Sequence, residues 1–271
     1  MTPAGTSFTD TLKFLKTQKV FDILGYALLM GGGVWFVISG AEKQGYFWQW
    51  YRVSRYLYQF ENGVFTAGPI LHGLMVTLKI VGYSLVLTYV LGLVTALMRL
   101  SNSAGARLVS RLYLESTRNT PLLVQLYFVY FIIAPVLNID RLSAAVLALS
   151  LFEGAYASEI YRAGIVSINR GQWEAAYSLG LSTFSMYKEI ILPQAIRRIL
   201  PPLTGQAISL IKDSSLVSVI AVYEMTMQAN AIVAETFLVF EIYFSIAVIY
   251  LILTISLSQL VAYMERRIKI V

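Results

Sequence analysis

Ionisable side chains stand inside stretches of this chain that are otherwise apolar. Glu153 lies midway along 142–163. Lys212 and Asp213 fall within 195–222, just before Ser214 and Ser215, and Lys79 falls within 69–98. A charge in hydrocarbon is costly, so such groups pair with one another or face a bundle interior or a cavity. Lys212 and Asp213 are neighbours that cannot easily share one helix face, so each needs a partner elsewhere. Glu159 and Arg162 are three apart, can meet on one face, and are expected to form a structural ion pair. Cysteine is absent and His72 is the single histidine. That excludes disulfides, thiolate metal sites and multi-histidine metal sites, so no metal is expected. No stretch matches G-x-x-x-x-G-K-[ST], so the chain has no P-loop and is not expected to be an enzyme that hydrolyses nucleotide.

The elements that must position these residues are apolar helices. Of 271 residues, 57% are hydrophobic and 13% charged, against roughly 45–50% and about 25% in soluble domains. The chain reads as an all-α integral membrane protein. A spanning helix needs about 20 mostly apolar residues. Six segments qualify: 21–40, 69–98, 112–137, 142–163, 195–222 and 237–263. No small-residue cleavage site follows 21–40, so it is read as a retained helix. Gly31, Gly32 and Gly33 within it suit close helix packing. With the N-terminus inside, fourteen Lys and Arg residues fall on the cytoplasmic side and four outside. That bias places both termini in the cytoplasm. The net charge of +6 is thereby used in orientation, and no nucleic-acid partner is expected. His72, near the outer end of a span, is expected to pack or to make an interfacial hydrogen bond.

Two connections are long. Residues 41–68 are rich in Tyr, Trp and Phe, which favour the membrane–water boundary, and an interfacial helix in contact with membrane lipid is expected there. Residues 164–192 form the second. Gly171-Gln-Trp-Glu-Ala-Ala-Tyr-Ser-Leu-Gly180 reads as a short helix ended by glycine. Ser182 can cap a second piece, 184–191, and Pro193 follows at a segment boundary. Ala175 and Ala176 would let another surface approach. Trp173, Tyr177, Leu179 and Leu181 would supply apolar anchors. The product is a cytoplasmic knob, or else an ordinary interfacial loop helix. Pro201 and Pro202 are expected to prevent a uniform helix beyond it. Arg118, Thr120 and Pro121 are expected to order the start of 112–137.

Glu174-Ala175-Ala176, Gly180 and Ile191-Leu192-Pro193 resemble the signature loop of permease subunits of ATP-binding-cassette importers. Arg118-Asn-Thr-Pro-Leu-Leu-Val-Gln125 is similar to a stretch of the polar amino acid uptake branch, with Asn119 in place of its usual glycine. Ala155-Tyr-Ala-Ser-Glu-Ile-Tyr-Arg-Ala-Gly164, Gly171-Gln172 and Leu210-Ile-Lys-Asp-Ser-Ser-Leu216 resemble that branch as well. The resemblance covers about 69–265. It implies a five-span type I permease core over 69–263, carrying the coupling loop 164–192. The remainder is a cytoplasmic segment 1–20, an additional transmembrane helix 21–40, an aromatic periplasmic loop 41–68 and a cytoplasmic tail 264–271.

The resemblance further implies partners. These are a cytoplasmic ATPase dimer that holds ATP and Mg, a second permease subunit (identical or paralogous), and a periplasmic substrate-binding protein. The setting is a bacterial inner membrane. This chain itself holds no cofactor. The ATPase-coupling residues are then Gly171, Trp173, Glu174, Ala175, Ala176, Gly180, Leu181 and Pro193. A zwitterionic amino acid needs a carboxylate for its ammonium group, which Glu153 or Asp213 could offer. It needs donors for its own carboxylate, which Lys79, Lys212, Ser214 or Ser215 could offer. The same acids and bases could instead pair to fix helix packing. Rival readings are a permease of this architecture for another small solute, an ion-gradient-driven transporter, and a membrane-embedded enzyme. The second leaves the knob unexplained, and the third lacks a catalytic constellation.

Overall fold

A computed structural model of the chain describes residues 8–267 except 44 and 62. Parts of the expected terminal segments, 1–7 and 268–271, lie outside the described residues. The chain divides into two compact units, 1–49 and 50–271.

The first unit is built on one long helix, α1 (Phe8–Lys43), which contains the expected span. Its window Val20–Gly40 is apolar enough to cross a membrane and none of it is buried. Phe21, Leu28 and Trp35 all stay exposed. Lipid would satisfy such a surface.

The second unit opens differently from the expected interfacial helix. A 3₁₀ turn (Trp50–Arg52) and a single turn, α2 (Ser54–Leu57), lead into an antiparallel hairpin. Strand β1 (Tyr58–Glu61) pairs with β2 (Val64–Ala67), Phe60 lying opposite Phe65. The sequence held a hairpin signal, Asn62-Gly63 between aromatic and β-branched residues, and Gly63 has φ +78°. Those residues favour strand over helix.

Helix α3 (Pro69–Leu100) then runs beside α7 (Arg141–Val166). The two backbones meet through small residues. A Cβ built on Gly92 would stand 2.7 Å from the Cβ of Ala157, and one on Gly154 would stand 3.2 Å from Leu91. Close approach of this kind is how helices associate in lipid, where burial of apolar surface drives nothing. His72 is exposed on the first turns of α3, which favours the interfacial hydrogen bond over packing within the chain.

The expected span 112–137 is not one helix. Helix α4 (Ala104–Arg118) turns by 111° into α5 (Leu122–Phe128), a π-helical stretch (Val129–Ile133) and α6 (Ala134–Leu137). Pro121 has no N–H and an extended ψ of 140°, which breaks the ladder at that point. Gln125 fixes the corner by donating to the Thr117 carbonyl at 2.7 Å and to the Thr120 hydroxyl at 2.8 Å.

After α8 (Arg170–Ser178), helical structure is continuous from Thr183 to Ile220. It comprises α9 (Thr183–Ser185), a π-helical stretch (Met186–Ile191), α10 (Leu192–Asp213) and a 3₁₀ stretch (Ser214–Ile220). Pro193 therefore marks a change of helix type, not a break in the chain of helices. It sits in the first turn of α10, behind the π-helical stretch. Pro201 and Pro202 do not interrupt α10 either. Ile199, Leu203, Ala207 and Leu210 bury one flank of the helix around them, and that packing outweighs the missing N–H groups. Helix α11 (Met225–Thr236), absent from the sequence reading, precedes α12 (Val239–Arg267).

Among the described residues, three single helices are long and apolar enough to span a membrane, and two bent pairs raise the number to as many as five. Helix α7, with 26 residues, is long enough but is not among them. It is the central helix, and its small, hydroxyl and acidic residues face protein.

Replacing Gly92 with Ala should force α3 and α7 apart and cost about 1–3 kcal/mol. Gly82 has open space around it, so Gly82→Ala should leave stability unchanged or slightly higher. Thermal unfolding of both variants in detergent checks the contrast.

Candidate functional site

The knob is a rigid helical corner. The Asn169 side chain accepts from the Gly171 amide at 2.8 Å and caps α8. At the other end Gly180 has φ +68°. Its N–H donates to the Tyr177 carbonyl at 2.9 Å, and the Leu181 N–H donates to the Ala176 carbonyl at 3.2 Å. This pair of bonds is a glycine-terminated helix end, as expected. Ser182 caps the next piece, accepting from the Ser185 amide at 3.2 Å.

The knob has a clear inside and outside. Ala176 is fully buried with Met186, Ile191 and Ala195, and Trp173 lies edge-on to Tyr187 at 5.4 Å. Leu181 packs partly against the same cluster. Ala176 therefore serves the knob's own core and presents nothing outward. Glu174, Ala175, Tyr177, Leu179 and Gly180 face out, with Leu179 75% exposed. Gly171 and Pro193 are exposed as well. Two contacts bind the knob to α10: Arg198 Nη1 donates to the Ser167 carbonyl at 2.5 Å, and Gln194 donates to Gln172 at 3.1 Å.

Above the root of the knob lies a charge cluster. Glu159 pairs with Arg162 at 3.0 Å, as the spacing predicts. It also pairs with Arg118 at 3.0 Å and with Arg99. One carboxylate thus ties α7 to both α3 and α4. Arg99 was not singled out from the sequence. It lies 60 residues from Glu159, and no spacing rule links them.

Of the ionisable candidate pathway residues, Glu153 is the one the fold buries. It is 1% exposed on α7 and accepts from the Gln206 side chain of α10. Asp213 and Lys212 lie within electrostatic reach of it. Asp213 is half-buried and Lys212 exposed, in keeping with neighbours on different faces. Ser214 is buried but spends its hydroxyl on the Ile211 carbonyl at 2.7 Å, and Ser215 does likewise on the Lys212 carbonyl at 2.7 Å. Both can still accept a bond but have no free donor. Lys79 is exposed on α3 and does not join this group.

A second buried acid escaped the sequence reading. Glu224 caps α11, accepting from the Met227 amide at 2.8 Å, the Tyr250 hydroxyl at 3.1 Å and the Thr77 hydroxyl at 3.4 Å. It joins α3, α11 and α12. The only local signal was an acid just ahead of a helical run. Two cavities adjoin α4. One of about 520 Å³ fills the crook of the 111° bend between Tyr113, Thr117 and Gln125 and an apolar wall. The other, of about 280 Å³, lies against the charge cluster.

Comparison with known proteins accords with this arrangement. Residues 88–270 match the family described as binding-protein-dependent transport system inner membrane component. The chain is 40% identical over 217 residues to the glutamine transport system permease protein of Escherichia coli (strain K12), covering 78% of this chain and 99% of that one. It is 42% identical over 204 residues to the L-cystine transport system permease protein of Bacillus subtilis (strain 168), covering 74% and 87%. A solved amino acid ABC transporter with histidines has 39% identity and a TM-score of 0.69, covering 73% of this chain and 94% of that one.

Glu159→Gln should leave three arginines facing one neutral group. The loss should be about 2 kcal/mol at low salt and smaller in 1 M salt, where exposed charges are screened. Thermal unfolding at the two ionic strengths checks it.

Proposed function

Since the chain belongs to the binding-protein-dependent transport system inner membrane component family, we propose that it forms the translocation pathway of an ATP-driven importer for a polar amino acid. The observation that carries the coupling half of this reading is the knob. Its exposed Glu174, Ala175, Tyr177 and Leu179 sit on a corner whose own core is packed and whose ends are capped. A surface of that kind can pass a push onward without collapsing.

The chain has no P-loop, so hydrolysis falls to a separate ATPase pair, which holds ATP and Mg. Gly171, Trp173, Glu174, Ala175, Ala176, Gly180, Leu181 and Pro193 form or support the surface on which it acts. Glu174 can make a charge-assisted bond to a basic group there. The basic bias around the knob and the ends of α3 and α12 supports a topology with both termini in the cytoplasm. The glutamine and cystine relatives support an amino acid as cargo. Glu153, buried and facing α10 beside Gln206, Lys212 and Asp213, is the group best placed to hold an ammonium. For the cargo's carboxylate, Ser214 and Ser215 have no hydroxyl proton to spare and Lys79 lies elsewhere, which leaves Lys212 of the expected donors. The Glu159–Arg162 pair holds the knob's root. A second permease subunit and a periplasmic binding protein complete the importer in a bacterial inner membrane.

An ATPase subunit should co-purify with the solubilised chain. Glu174→Lys and Gly180→Asp should insert normally while ATP hydrolysis no longer drives uptake. Full substrate-stimulated uptake in either variant would count against the coupling role. Glu153→Gln should assemble normally but slow uptake roughly tenfold or more, the worth of one charge-assisted bond. Unchanged uptake kinetics would remove Glu153 from the pathway.

A further inference from the structure

We propose that the 280 Å³ cavity beside the charge cluster is a binding site for a phosphate group, carried by an anionic phospholipid or free in solution. The cavity is lined by Arg99, Arg118, Asn119, Tyr156, Glu115 and Glu159, and Arg162, which is not part of the lining, also pairs with Glu159. Three guanidinium groups converge on the single carboxylate of Glu159. The other acid on the wall, Glu115, accepts from the Asn119 side chain at 3.0 Å. With both acids counted, one positive charge is left over.

The hydrogen bonds are unbalanced too. A guanidinium carries five N–H donors. Arg99 and Arg118 each give Glu159 one, from Nη1, and both to the same oxygen, Oε1. Both residues line the cavity, and among the described residues neither guanidinium makes a further hydrogen bond. Arg118 is also steadied over the Tyr156 ring, 5.6 Å from its centroid, so it is held in place without a second acid. The space corresponds to about nine waters, enough for a phosphate and its ester oxygens.

Position selects phosphate from among the anions. Arg99 lies in the last turn of the apolar span α3, where hydrocarbon gives way to headgroups. Basic pockets between helices at that depth bind anionic headgroups, and an arginine fork accepts phosphate with paired bonds.

Native mass spectrometry of the detergent-solubilised full chain, with whatever subunits co-purify, tests this. The additions are phosphatidylglycerol, phosphatidylcholine or inorganic phosphate. Phosphatidylglycerol should be retained, with affinity roughly tenfold weaker in Arg99→Gln and Arg118→Gln. Phenylglyoxal labelling of wild type, mapped by peptide, covers the case in which those variants misfold. Phosphatidylglycerol should shield Arg99 and Arg118 but leave the exposed Arg111 open. Shielding by inorganic phosphate as strong as by the lipid assigns the site to a free anion, and stronger shielding by the lipid assigns it to a headgroup. Equal shielding by phosphatidylcholine, or shielding by neither anion, overturns the proposal. So does unchanged lipid retention in both variants once they are shown to fold.

Discussion

Helix α7 can lie at the centre of this molecule only because it can touch α3 almost backbone to backbone. Gly92 meets Ala157, and Gly154 meets Leu91 and the Thr88 carbonyl. No hydrophobic force draws helices together in lipid, so the association rests on contact at this range. Once α7 is fixed, its other faces are assigned. One turns Glu153 toward Gln206 of α10, and another turns Glu159 toward Arg99 and Arg118. The low apolarity of α7 follows from the same position. A helix surrounded by protein can carry serines, small residues and acids that a lipid-facing helix cannot.

The charge cluster and the knob are two ends of one packed column. Ala157, Ile165, Ile168, Ala176, Met186, Ile191 and Ala195 form a single buried cluster from the middle of α7 through α8 to α10. Glu159 and Arg162 stand on that helix between Ala157 and Ile165. Force applied to the outer face of α8 has no soft layer to dissipate in before it reaches α7. The 111° corner after Arg118 depends on the same cluster, because Arg118 is both the last residue of α4 and a partner of Glu159. Buried polar bonds do similar work at the opposite end of α3, where Glu224 joins three helices through Thr77, Tyr250 and its own cap. In low dielectric, a fully satisfied group of this kind fixes one arrangement.

Much of this was legible in the sequence, and for local reasons. Apolar runs and the scarcity of charge gave the membrane class. Gly180 and Ser182 gave the knob's corner, because a left-handed helix terminus and a hydroxyl cap are properties of a few adjacent residues. The Glu159–Arg162 pair was equally local. The errors were local signals that lost to packing or were overlooked. Pro201 and Pro202 did not stop α10, because buried side chains on both sides of them hold it. Pro121 did break a predicted span, because the chain has a corner to turn there and Gln125 to brace it. The Asn62-Gly63 signal was outweighed by a count of aromatic residues.

Other features had no sequence signature. Arg99 and Arg118 lie 60 and 41 residues from Glu159, and Thr77 and Tyr250 lie 147 and 26 residues from Glu224. Their meeting depends on how helices cross, and crossing is set by where backbones can approach. The sequence by itself determined which segments are apolar, where the knob's corner falls, and which charges must avoid lipid. Only the tertiary structure decided which charges face each other, that Ala176 points inward, and that Glu153 rather than Lys79 lies in the interior. A residue's spacing along a helix fixes its face, but only the packing of one helix on another fixes what that face meets.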